Sequence, residues 1–402
     1  MKSLLCILLV FISFGVKAQQ TYSISGTVTD GKGITLPGAT VFITNSKYIQ
    51  ATDNGGKFSF NNITPGTYEV VVKLLGFEPD IQSVTIREKS ANLTARLKES
   101  VTALKGVNIS GGPDIYRERY LALFIKNFLG ETVNAQQCKL LNPDVLKFYY
   151  NKNNDFRLTA TAADFLVVEN KALGYTLKYL LTAFDLDMQN NRCTVGGSPY
   201  FEEMKGTEAQ QKKWQINRRV AYMSSDRHFF KAVMNNTAKA EGFSVYQIID
   251  NPILIQNTPA NERWAFYQDT DDPSRRKLVN IRVLNIDALF IADSQDFKTL
   301  ISDSKAVSWD KPESGGYFIV YTGEDESALY YNTGGTIELP VKSIPHKRQI
   351  SLIHPLAESV MIDRNGDVTP ALGFFYMGYW AWLRIADLTP LDYFGEPVTD
   401  KK

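Results

Sequence analysis

Seven basic side chains fall between positions 212 and 231: Lys212, Lys213, Arg218, Arg219, Arg227, His228 and Lys231. Cations at that density suit an anionic glycan, a phosphate or a lipid headgroup, held by charge-assisted hydrogen bonds, with Lys213, Arg218, Arg219, Arg227 and His228 as the binding candidates. The competing reading is a solvated helix surface whose charge is partly neutralised by Glu202, Glu203 and Glu208. Asp363, Asn365 and Asp367 place oxygen ligands at alternate positions, as calcium requires, but the loop lacks a glycine at its sixth position. The same run, with Gly366, also reads as a hairpin turn. Ser302 and Ser308 each stand three residues before a lysine, the start of a penicillin-interacting serine site, without the Ser-Asp-Asn and Lys-Thr-Gly motifs that complete one. Cys138 or Cys193 with His228 offers a thiol and a base, chemistry that a disulfide or burial would remove by abolishing the thiolate. Tyr376, Tyr379, Trp380 and Trp382 supply faces on which sugars stack, and equally the inward side of a core helix. No Gly-x-Ser-x-Gly elbow, phosphate loop or dinucleotide fingerprint occurs, so no catalytic residue is assigned and no cofactor is implied.

These candidates need elements to hold them, and residues 114–402 read as a mixed α+β domain with mainly antiparallel sheet. Asp114 is placed to cap a helix that Gly130 stops, with Tyr116, Tyr120, Leu123 and Phe124 on its apolar face. Alternation then predicts strands at 145–150, 156–161, 165–169 and 175–181, an antiparallel meander. Thr207 and Gln210 form a capping box that opens a helix through Trp214 and Val220, and Ser224-Ser225-Asp226 starts a second through Phe229 and Met234. Strands return at 243–249, 264–268, 279–284, 317–321 and 350–353. The aromatic run 374–382 reads as helical up to Leu388.

The first hundred residues carry a different pattern. Tyr22, Ile24, Gly26 and Val28 alternate with polar residues, a period of two that places one face on a core. Further alternations follow around Val41, Phe58 and Val70 and at 93–97, separated by turns at Asp30-Gly31, Asp53-Asn54-Gly55-Gly56 and Pro65-Gly66. Short strands with such regular turns indicate a β-sandwich over residues 19–98, joined by a linker at 99–113 to the larger domain.

Within that stretch Gly26-Thr27-Val28, Leu36-Pro37-Gly38-Ala39-Thr40-Val41, Thr52-Asp53, Gly56-Lys57-Phe58-Ser59-Phe60, Gly66-Thr67-Tyr68 and Gly76-Phe77 together resemble the carboxypeptidase regulatory-like domain. The resemblance implies a transthyretin-like (prealbumin-like) sandwich and no chemistry of its own. In metallocarboxypeptidases that domain accompanies a separate zinc domain with His and Glu three residues apart. None of His228, His346 and His354 has that spacing, so no zinc ligand set is present. The same domain resembles the one that precedes TonB-dependent outer-membrane receptors in Bacteroidetes, but no barrel-closing aromatic strand ends this chain. The larger domain resembles uncharacterised exported Bacteroidetes proteins only.

Lys2, the apolar run from Leu4 to Phe14 and Val16-Lys17-Ala18 read as a cleavable signal peptide over residues 1–18, too short for a membrane span. Removing it takes the formal charge from +1 to −1, which excludes general attraction to nucleic acid. Cys138 and Cys193 remain, and an exported protein permits a disulfide between them; two buried thiols are the alternative. The expectation is a non-catalytic exported protein of the periplasm or outer membrane that works as a binding or interaction module beside nutrient-uptake machinery, with an envelope protein or a glycan as partner. The alternative is a hydrolase of glycan or peptide substrates, since two carboxylates brought together by folding leave no local signature.

Overall fold

Alternating side chains need two sheets to bury them, and residues 21–100 supply both. A computed structural model describes residues 21–100, 116–151, 156–190, 192–249, 262–268, 276–283, 316–333, 348–356, 360–362, 365–369 and 372–395. The chain divides into two compact units, Met1–Ile43 with Tyr48–Ala103, and Thr44–Lys47 with Leu104–Lys402.

In the first unit, β1 (Tyr22–Thr29), β2 (Thr40–Ile43), β3 (Ile49–Ala51), β4 (Lys57–Ile63), β5 (Gly66–Lys73), β6 (Asp80–Ile86) and β7 (Ala91–Arg96) form two sheets, ordered β4-β1-β7 and β3-β2-β5-β6. Pairing is antiparallel except between β1 and β7, which run parallel. Ile24, Val28, Val41, Phe58, Phe60 and Val70 are buried, as the alternation requires. At Gly26 a Cβ would stand 2.8 Å from the Phe58 ring and 2.6 Å from the Leu93 carbonyl, so only glycine lets that ring cross the strand. The acidic turn residues are structural. Asp53 Oδ1 accepts the Gly55 and Lys57 N–H groups, both at 2.8 Å, and Asp30 Oδ1 does the same for Lys32 and Ile34. The short β3 and the strand β6 were not legible from alternation.

The second unit is larger and mostly antiparallel, with few helices. Its first sheet holds β8 (Cys138–Leu140), β9 (Leu146–Asn151), β10 (Arg157–Ala162), β11 (Leu166–Asn170), β12 (Tyr175–Asp187) and β13 (Arg192–Glu203), ordered β8-β11-β12-β10-β9 with β13 on β12. Helix α1 (Arg117–Leu129) buries Phe124 and Phe128 in this core, where Phe124 meets Phe184 at 4.6 Å and Phe128 meets Tyr179 edge-on at 5.1 Å. Gly130 ends it at φ 93° as expected; Asp114 lies outside the described residues, and Tyr116 precedes the first turn.

Helices α2 (Glu208–Met223) and α3 (Asp226–Met234) come next. The Thr207–Gln210 capping box is present on both sides, and the Ser225 hydroxyl accepts the His228 N–H. The second sheet contains β14 (Phe243–Ile249), β15 (Glu262–Gln268), β16 (Arg276–Val283), β17 (Tyr317–Asp325), β18 (Arg348–Pro355) and β21 (Phe374–Gly378), in the order β15-β16-β14-β17-β18-β21. Strands β19 (Met361–Ile362) and β20 (Val368–Thr369) make a separate hairpin, and α4 (Ala328–Asn332) is one short turn. Helix α3 packs Phe229, Phe230 and Val233 into the core under this sheet, while Ala221 of α2 belongs to the first core.

The helix expected over 374–388 is corrected. Phe374–Gly378 is the edge strand β21, paired antiparallel with β18, followed by the single turn α5 (Tyr379–Trp382) and a 3-10 turn at Ile385–Asp387. Aromatic residues suit strands as well as helices, and β18 offers an unpaired edge that no local pattern reveals. Gly378, at φ 73°, then turns the chain. Tyr376 and Trp380 still meet, at 6.2 Å between ring centroids, across a strand and a turn instead of along one helix face.

Candidate functional site

The basic cluster is divided among separate structural tasks. The Arg218 guanidinium lies 3.8 Å from the Tyr175 ring centroid and donates from Nε to the Leu173 carbonyl at 2.7 Å and from Nη2 to that of Gly174 at 3.2 Å. Arg227 holds the C-terminal segment, donating to the Thr389 carbonyl and hydroxyl, each at 2.9 Å, and to the Tyr393 carbonyl at 3.0 Å. His228 is 2% exposed among Tyr222, Phe243 and Tyr321. Its Nδ1–H donates to the Met223 carbonyl at 2.8 Å, and Nε2 meets Glu241 at 2.6 Å. Lys231 stacks on Phe394. Lys213 and Arg219 are exposed. Three of the five binding candidates thus spend their donors on the chain itself, because burial forces a cation to find acceptors nearby.

The other candidates also find structural places. Asp363 lies outside the described residues, as do Ser302 and Ser308. Asn365 is buried at the tip of the β19–β20 hairpin, and the charge of Asp367 acts on Arg227, which supports the hairpin reading of this run. Among the described residues no three His, Cys, Asp or Glu side chains gather as metal ligands would. The disulfide does not form: Cys138 and Cys193 are free thiols. Cys138 pairs across β8 and β11 with Asn170, which faces the start of β12 at Tyr175, whereas Cys193 faces Leu186 at its other end. Two intervening strands and the length of β12 separate them, far beyond disulfide reach. Burial pushes the Cys193 thiol up to about 11 and Cys138 to about 12, so neither is a thiolate at neutral pH.

What folding assembles instead is a cleft of about 760 Å³ in the larger unit. Residues 192–195 of β13, 374–378 of β21, 383–385 and 387–388 line it, together with Phe128 and Asp226. Most of the lining is apolar, as in sites that take small organic ligands. Each carboxyl in it is engaged. Asp387 accepts from the Thr132 hydroxyl at 2.9 Å and from Asn134 Nδ2 at 2.8 Å, and burial raises its carboxyl to about 6. Asp226 accepts the Arg227 N–H at 2.8 Å and bonds the Tyr376 hydroxyl; desolvation raises the Asp226 carboxyl, and it raises the Tyr376 hydroxyl likewise. Arg384 differs. Among the described residues its guanidinium makes no hydrogen bond and no ion pair, and the titratable group acting on it is the Cys193 thiol. Sequence reasoning passed over Asp387 and Arg384. The one available signal was a single charge in the apolar run Tyr379-Trp380-Ala381-Trp382-Leu383-Arg384-Ile385.

With the turn geometry and two-sheet sandwich established, the comparison with known families is informative for the first unit. Residues 24–109 match the family model of the CarboxypepD_reg-like domain. Two residues within that match, Gly26 and Asp53, are the ring-crossing glycine and the turn aspartate described above. No curated protein matches the chain. Among solved structures, catechol 1,2-dioxygenase of Acinetobacter sp. ADP1 is similar at 12% identity and TM-score 0.19, over 21% of this chain and 54% of that one. The 3-chlorocatechol 1,2-dioxygenase of Rhodococcus opacus is similar at 10% identity and TM-score 0.18, over 21% and 62%. GBS52, a minor pilin of Streptococcus agalactiae, is similar at 17% identity and TM-score 0.18, over 20% and 45%. The chain thus spans between about half and three fifths of the length of the dioxygenase chains it matches.

Proposed function

We propose that this is an exported, non-catalytic protein of the cell envelope of a Bacteroidetes-type bacterium. Its CarboxypepD_reg-like domain acts as an interaction module beside outer-membrane nutrient-uptake machinery, and its larger unit holds a ligand in the cleft. The leader-like start supports export. The observation that carries the binding reading is the state of the cleft: its carboxyls and thiol are engaged or protonated, while its walls are apolar. A general base needs a lone pair free for a substrate proton, and a nucleophilic cysteine needs its thiolate. Among the described residues no helix is long and apolar enough to cross a membrane.

One observation favours hydrolysis as the second reading. Asp226 and Asp387 line the same cleft, both with raised carboxyls, as an acid catalyst requires. Incubating the purified mature protein with glycan and peptide panels separates the two. Binding without turnover is expected, and turnover abolished by Asp226→Asn in a protein that still folds would overturn the binding reading. Affinity capture from envelope extracts tests the partner, an outer-membrane receptor being the expected catch.

A further inference from the structure

A guanidinium that keeps access to water but has no acceptor from the chain offers its charge and five donors to an incoming anion. Arg384, half-buried, is in that position. It lines the cleft together with Leu383, Ile385 and Leu388, and Phe375 and Met377 of β21 line the same cleft. Its stem is fixed: the Cβ and Cγ of Arg384 lie 3.0 and 3.1 Å from where a Cβ on Gly130 would stand, so the bare backbone at the end of α1 gives it room. The other ionisable groups on the cleft wall are accounted for. Asp387 is bound by Thr132 and Asn134, and Asp226 by Tyr376 and the Arg227 N–H. Cys193 is the titratable neighbour of Arg384, and Arg192 adds a second cation on the β13 side. The cleft therefore combines apolar walls with a planar cationic fork that the protein leaves unsatisfied.

We infer that the cleft takes an organic carboxylate with an apolar body, its carboxylate received by the Arg384 guanidinium and its hydrocarbon part by the walls from β21 and residues 383–388. The guanidinium matches a carboxylate with two parallel hydrogen bonds, which a lysine would not provide. A volume of about 760 Å³ lies in the range of sites that enclose small amphiphiles. This assignment rests on the reading of the larger unit as a binding module and names the ligand class for that cleft.

The test is calorimetric titration of the mature full chain with decanoate, 1-decanol and decyltrimethylammonium. Decanoate is expected to bind at least about tenfold more tightly than 1-decanol, and the cation not at all. Arg384→Met should bring decanoate down to the affinity of 1-decanol while leaving 1-decanol binding and the melting temperature as they were. Arg384→Lys, which keeps the charge and loses the fork, should retain part of the preference. Equal affinity of the unaltered protein for decanoate and 1-decanol overturns the carboxylate assignment and leaves the binding cleft standing. Persistence of the preference in Arg384→Met overturns the role of Arg384. Binding of neither amphiphile removes the assignment and the cleft reading together.

Discussion

Arg227 shows how a cation suggestive of ligand binding becomes a structural tie. Its three donations to Thr389 and Tyr393 hold the segment after the last 3-10 turn. Arg227→Ala should cost about 3 kcal/mol in urea denaturation, since charged hydrogen bonds are lost and their acceptors are left without donors. Loss of affinity for anions at constant stability would instead mark it as a ligand group. Asp387 carries a pH signature. Its carboxyl, raised by burial to about 6 from 3.8, holds its proton more tightly in the folded protein. Its contribution to stability is therefore fully present below about pH 4 and is lost as pH rises through about 6. The shift corresponds to about 3 kcal/mol. Asp387→Asn should flatten that part of the stability profile between pH 4 and 7, and an unchanged slope would show that the carboxyl does not titrate there.

Among the elements, α2 is placed by a contact no helical pattern announces. Its Trp214 donates from Nε1 to the Lys171 carbonyl at 2.9 Å and lies flat on Gly174, where a Cβ would stand 2.1 Å from the ring. Gly174 also has φ 68°, a conformation side chains resist. Gly174→Ala should lower stability by about 3 kcal/mol and shift the tryptophan emission, through both strain and displacement of the ring. A melting temperature equal to that of the unaltered protein would remove this account. The capping box at Thr207 was legible because its two hydrogen bonds are local. Strand β21 was not legible, because its partner residues on β18 lie about twenty or more positions earlier in the chain and the strand's identity depends on filling that edge.

At the scale of the molecule, stability among the described residues rests on cores and not on a bridge between Cys138 and Cys193. Unfolding midpoints with and without reductant should coincide, and intact mass without reduction should show Cys138 and Cys193 both as thiols. A reductant-dependent midpoint would overturn the strand placement of these cysteines. By itself the sequence determined the two-sheet sandwich, its family likeness, the antiparallel character of the larger unit and the paired helices. These follow from period-two alternation, turn residues and caps, which act between neighbours in the chain. Only the tertiary structure decided the fate of the basic cluster, the separation of the cysteines and the cleft around Arg384. Which donor meets which acceptor is set by side chains arriving from positions as distant as Thr132 and Asp387. Burial, which raises the Asp387 carboxyl, and the placing of Arg384 on the cleft wall are properties of the packed chain and of no local stretch of it.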